Sequence, residues 1–150
     1  MRNGQKKPFT IWLLLLCVVL LSAGGFYGGI SFILDPTGTM IGMQGETLEK
    51  LPVRNFFLPG LFLIAAYGIF PLIVAAGLFV NSRSQSVRRI SGRHWVWTFS
   101  YLLGVVLVFW VLFQMLFIGF MHPIQFITLV LGLLIFIFSM TKSIKKYFSE

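Results

Sequence analysis

The sequence predicts an all-α polytopic membrane protein, a four-helix bundle with one structured outer loop between helices 1 and 2, and three observations carry that reading. The first is composition. Of 150 residues, 57% are hydrophobic and 11% charged, and the mean hydropathy is +0.90, whereas about a quarter of the residues of an ordinary soluble domain are charged. The second is run length: four uncharged windows approach the roughly 20 residues a helix needs to cross about 30 Å of hydrocarbon. The third is the placement of charge, with basic residues gathered at alternate connections. A strand exposed to lipid leaves its backbone groups unpaired, and these runs lack the alternation of barrel strands, so helices are expected throughout.

The predicted spans are residues 9–34, 56–80, 95–121 and 123–140, together one integral membrane domain covering 1–150. The first is longer than the hydrocarbon is thick at about 1.5 Å per residue, so it tilts or projects beyond it. Lys6 and Lys7, the apolar run and Ser22-Ala23-Gly24-Gly25 together mimic a secretory signal. The run continues through Phe26, Tyr27 and Ile30 to Leu34, and Leu21 is bulky where a cleavage site wants a small residue, so an uncleaved span is expected.

Small residues are concentrated in the first two spans. Gly24 and Gly28, and Gly25 and Gly29, each stand four apart, the spacing that lets a second backbone approach closely. With Gly60 and Gly68 on the second span they are the expected helix-packing surface. No phosphate-binding motif accompanies these glycines, which lie inside an apolar run. Pro71 falls in mid-span and predicts a kink. The third and fourth spans have no comparable small surface, which argues against an inverted repeat.

After the first span, Asp35-Pro36-Thr37-Gly38 has the residues of a type I turn in order. The loop that follows is too apolar for a free linker. It is expected to lie at the membrane interface with Met40, Ile41, Met43, Leu48 and Leu51 facing down and Glu46, Glu49 and Lys50 facing up, the stretch from Glu46 to Leu51 making one or two helical turns before Pro52. Pro59 suits the first turn of the second span. Asp35 and Arg54 bracket the loop and are expected to pair, the alternative being two separately solvated charges. With Glu46, Glu49 and His122 they form the candidate outer-loop site.

In Asp35, Pro36, Thr37, Gly38, Gly42, Met43, Pro52, Pro59, Gly60 and Leu61 the chain resembles a group of uncharacterised small bacterial four-span membrane proteins that share a D-P-[ST]-G turn after the first span and P-G-L opening the second. The resemblance covers about residues 24–77. It implies the bacterial cytoplasmic (inner) membrane and supplies no activity.

Charge fixes the expected orientation. There are twelve Lys or Arg against four Asp or Glu, a net +8. Arg2, Lys6 and Lys7, then Arg83, Arg88, Arg89 and Arg93, then Lys142, Lys145 and Lys146 all fall on one side, which the positive-inside rule makes cytoplasmic along with both termini. The later two groups are expected to anchor to anionic phospholipid headgroups. A nucleic-acid site would need a folded basic platform, and none is present.

Chemistry is sparse. The predicted spans contain no Asp, Glu, Lys, Arg or His, and Gln114 is the strongly polar residue of the third, whereas ion-coupled transport usually uses an intramembrane carboxylate or its equivalent. His94 and His122 lie at opposite ends of that span, roughly 40 Å apart along a helix, and cannot share a metal. Cys17 is the sole cysteine, which excludes an internal disulfide and thiolate clusters. No catalytic, cofactor or metal residues are therefore assigned. The expected function is a non-catalytic integral membrane protein that assembles with or regulates a membrane complex, its partners being phospholipid and a membrane protein or a second copy of itself. An oligomeric small transporter or channel is the alternative, and a lipid-modifying enzyme acting through the outer loop is a third reading.

Overall fold

A computed structural model describes residues 7–43, 45–80, 95–119 and 123–149. The described residues are helical with no strand. Helix α1 spans Phe9–Leu34, a short 3-10 turn covers Thr39–Ile41, and α2 covers Gly45–Glu49. The second long helix begins as α3 (Phe57–Leu63), widens into a π-helical segment over Ile64–Ile69 and continues as α4 (Phe70–Val80). Then come α5 (Trp95–Ile118), α6 (Pro123–Met140) and α7 (Lys142–Ser149). Four of these stretches are long and apolar enough to cross a membrane: Phe9–Leu34, Phe57–Phe79, Trp95–Phe117 and Pro123–Met140.

Neighbouring spans run antiparallel. α1 packs along α3, the π segment and α4, and also touches α6, while α5 packs chiefly on α6. The core follows α1 through Ile11, Leu14, Val18 and Leu21 and takes in Val74, Leu78, Leu107, Val111 and Ile135. Cys17 is buried within it as a small apolar side chain.

The first seam is made by backbone. A Cβ added to Gly25 would stand 2.3 Å from the Tyr67 carbonyl carbon and oxygen, and one on Gly29 would stand 2.7 Å from the Gly60 oxygen. Any side chain here would push the two helices apart. Gly68 receives the Phe26 ring, whereas Gly24 has nothing within 4 Å of its missing Cβ and Gly28 meets Leu63 at an ordinary 3.5 Å. The Gly25/Gly29 register therefore forms the seam, with Gly24 facing outward.

Pro71 expresses itself as a widened turn. A proline removes one N–H and its ring crowds the carbonyl of the preceding turn; a π turn makes room for both. The N–H of Phe70 accordingly bonds to the Ala65 carbonyl, five residues back.

The third and fourth spans also meet at glycines, contrary to the expectation that they lack a small surface. A Cβ on Gly104 would lie 2.7 Å from the Phe136 nitrogen, and Gly132 is packed under Leu107 and Val108. Each is a single glycine in its helix, so no pair at four-residue spacing marked the seam.

The third span ends at Ile118, earlier than its predicted limit at 121. Gly119 turns left-handed, with φ 78°, and its N–H bonds to the Met115 carbonyl at 3.0 Å, closing the helix as a glycine C-cap does. Beyond Met140 the chain re-enters a helix, α7, where the sequence reading has a headgroup-anchoring basic tail and no helix.

Candidate functional site

The outer loop is built on Asp35. Its carbonyl accepts the Gly38 N–H at 3.0 Å, which closes the Asp-Pro-Thr-Gly turn. Gly38 has φ 81°, and a Cβ there would also strike Met43 and the Phe56 ring. The carboxylate then gathers donors from the residues just ahead: the Thr37 N–H at 3.1 Å and the Thr37 hydroxyl on Oδ1, the Thr39 hydroxyl at 2.7 Å and the Met40 N–H at 2.7 Å on Oδ2. These bonds favour the charged form and hold the carboxyl well below its ordinary range, the Thr37 hydroxyl contributing most, then Thr39, then the Met40 amide.

This arrangement corrects the expected Asp35–Arg54 pair. Asp35 forms no ion pair among the described residues, and Arg54 is exposed. The physical reason is reach: donors two to five residues along the chain are delivered by the turn itself, whereas Arg54 would have to order a long side chain to compete.

The far end of the loop is tied to the same turn. The Phe56 N–H donates to the Pro36 carbonyl at 2.8 Å, and the Phe56 ring, 2% exposed, stacks on Phe32 with centroids 4.6 Å apart and planes 14° from parallel. The Asn55 side-chain oxygen accepts the Phe57 N–H at 3.1 Å just ahead of the next helix, and Pro59 lies in that helix's first turn, where no N–H is needed. Between these ties, Ile41, Met43, Leu48 and Leu51 are half-buried while Met40, Glu49 and Lys50 are exposed. Thr47 is buried at 2%. Met40 thus departs from its expected inward position, because its backbone N–H is committed to Asp35.

Glu46 falls within α2. His122 lies outside the described residues, as do His94, Arg83, Arg88, Arg89 and Arg93. Among the described residues no three His, Cys, Asp or Glu side chains come together at metal-binding distance. Gln114 is half-buried on α5. The polar residue that does shape the outer end is Gln125, 7% exposed, whose amide donates to the Gly119 carbonyl at 3.3 Å and ties α6 to the end of α5. Its position two residues after Pro123 in an apolar run was the available signal.

The basic end is organised differently. The Lys7 ammonium donates to the Leu78 carbonyl at 3.3 Å and to the Phe79 carbonyl, and lies over the Trp12 and Phe79 rings at 5.7 and 5.2 Å. A cation is thereby placed on carbonyls of the last described turn of α4, at the negative end of its dipole. Nearby, the Trp97 indole donates to the Ser139 carbonyl at 2.9 Å, holding α5 to the last turn of α6. Lys142, Lys145 and Lys146 are exposed on α7, while Ile144 and Phe148 are buried against the bundle. Comparison of the chain with family models, with curated proteins and with solved structures returned no match.

Proposed function

We propose that this chain is a non-catalytic multi-pass protein of the bacterial cytoplasmic membrane that assembles with, or regulates, a larger membrane complex, with Lys7 and the α7 lysines on the cytoplasmic side. The observation that carries the reading is the uneven burial of the spans. In the most apolar window of the fourth span 22% of residues are buried, against 39% in each of the other three. One face of α6, including Phe126, Val130 and Leu133, is exposed along the helix. In a membrane that face meets either lipid or another protein, and complex assembly assigns it to a protein.

The competing readings draw less support. A conduction path lined by the glycines of the first span would need a surface that Gly25 and Gly29 already commit to the second span. A reaction at the outer loop could not draw freely on the Asp35 carboxylate, which four donors from Thr37, Thr39 and Met40 engage.

A photoreactive side chain at Phe126, Val130 or Leu133, activated in native membranes, tests the proposal. A discrete protein adduct is expected. Adducts to lipid alone at all three positions would overturn it.

A further inference from the structure

We propose that α7 is a clamp operated by anionic phospholipid: its lysine face binds negatively charged headgroups while its opposite face holds the basic end of the bundle closed. The argument starts with periodicity. At 100° per residue Lys142, Lys145 and Lys146 share one face of the helix, and Ile144 and Phe148 share the other. A helix of this pattern next to a membrane commonly lays its apolar face into lipid. Here that face is already used, since Ile144 is 0% and Phe148 9% exposed and both belong to the bundle core with α1 and α5 residues. The apolar side is docked on protein, and the lysines point away from it.

Depth follows from the joint. α6 ends at Met140 and α7 begins at Lys142. Thr141 alone separates them. Its N–H and its hydroxyl both donate to the Phe138 carbonyl, at 3.1 and 2.7 Å, and its carbonyl accepts the Lys145 N–H at 3.0 Å. One residue thus finishes one helix and starts the next, leaving no slack. Lys142 lies within two residues of the span's end, at most about 7 Å of chain, which is roughly the thickness of the headgroup layer. Ammonium groups at that level meet phosphate, and a net negative surface attracts them further. The ligand class is therefore an anionic phospholipid headgroup.

Coupling distinguishes a clamp from a simple anchor. α7 touches α1, α5 and α6, so whatever holds α7 in place holds the ends of three spans together. A ligand that binds the docked helix better than the undocked one stabilises the closed bundle by linkage. This needs no protein partner and stands apart from the assembly reading.

The test uses the full chain alone in lipid nanodiscs, either wholly phosphatidylcholine or with phosphatidylglycerol replacing about a third of it, at low salt. The anionic lipid is expected to raise the unfolding temperature by about 5 °C. K142Q/K145Q is expected to lose most of that increment while melting as the parent does in phosphatidylcholine, and the charge-matched control K50Q/R54Q, at two exposed residues of the loop before α3, is expected to keep it. Ile144→Ala, which leaves every lysine in place, is expected to lose the increment as well. An increment that survives K142Q/K145Q, or that falls equally in K50Q/R54Q, overturns the site. An increment that survives Ile144→Ala overturns the coupling; should that variant not fold, the lysine pair and its control decide alone.

Discussion

The Ser22 hydroxyl donates to the Gly68 carbonyl at 2.7 Å, from the middle of α1 into the π segment of the second span. Both residues are buried. One turn further along α1, Gly25 brings its backbone onto Tyr67. The hydrogen bond and the glycine contact are two parts of one device: glycine permits the approach, and the serine hydroxyl meets the carbonyl that the approach brings within reach. Removing the hydroxyl while keeping the volume small isolates the bond. Ser22→Ala is expected to destabilise the chain by about 0.5–1.5 kcal/mol, read from reversible unfolding in mixed micelles.

Gly25 and Gly24 are adjacent in sequence and opposite in environment. Gly25→Ala is expected to lower stability by about 1–3 kcal/mol, because its methyl group meets backbone that cannot rotate away. Gly24→Ala is expected to be neutral or to stabilise by up to about 1 kcal/mol through helix propensity. The same unfolding assay compares them, and equal effects from the two substitutions would contradict the seam.

Asp35 makes the outer loop sensitive to acid in a stated direction. Its carboxyl titrates below the ordinary value in the folded protein, so the stability it contributes is complete above the unfolded carboxylate value of about 3.9 and declines as pH falls through the lower folded value. Asp35→Asn, which removes the charge and one acceptor oxygen, is expected to destabilise the loop at neutral pH. The difference from the parent should shrink below about pH 3. Carbon-13 titration of the Asp35 carboxyl is the direct check, and an ordinary midpoint would refute the turn geometry.

Lys7 closes the other end of the same helix pair. Lys7→Gln keeps a hydrogen-bond donor but loses the charge at the end of α4. It is expected to cost about 0.3–1 kcal/mol and to raise amide hydrogen exchange in the last turn of α4 while leaving the π segment protected.

The features legible in the sequence are those set by neighbours along the chain. Asp35-Pro36-Thr37-Gly38 is a turn because of its own four residues, and Phe9–Leu34 is a span because of its own apolar length. Features that depend on what lies opposite were harder to read. Pro71 announces a distortion, but a π turn placed over Ile64–Ile69 suits a facing helix that has glycine at 25 and 29. Arg54 looked like a partner for Asp35 because the two charges bracket a loop, and local donors took the carboxylate first. Lys142, Lys145 and Lys146 drew attention to charge and away from Ile144 and Phe148, four residues apart, which dock the helix.

The protein has two kinds of joint. The pairing of α1 with the second span, and of α5 with α6, is made at glycines whose missing side chains the opposite backbone fills. The two pairs meet where α1 lies against α6 and through rings between the second and third spans, with Phe62 on Trp110 at 4.7 Å and Phe70 on Phe99 at 5.5 Å. A ring can be exchanged for another ring or for leucine with some repacking, whereas Gly25, Gly29 and Gly104 leave no room for even one added methyl group. A chain drifting away from this one in evolution can therefore rewrite most of its apolar letters and keep the fold. Its kinship would show in the positions where nothing but hydrogen fits.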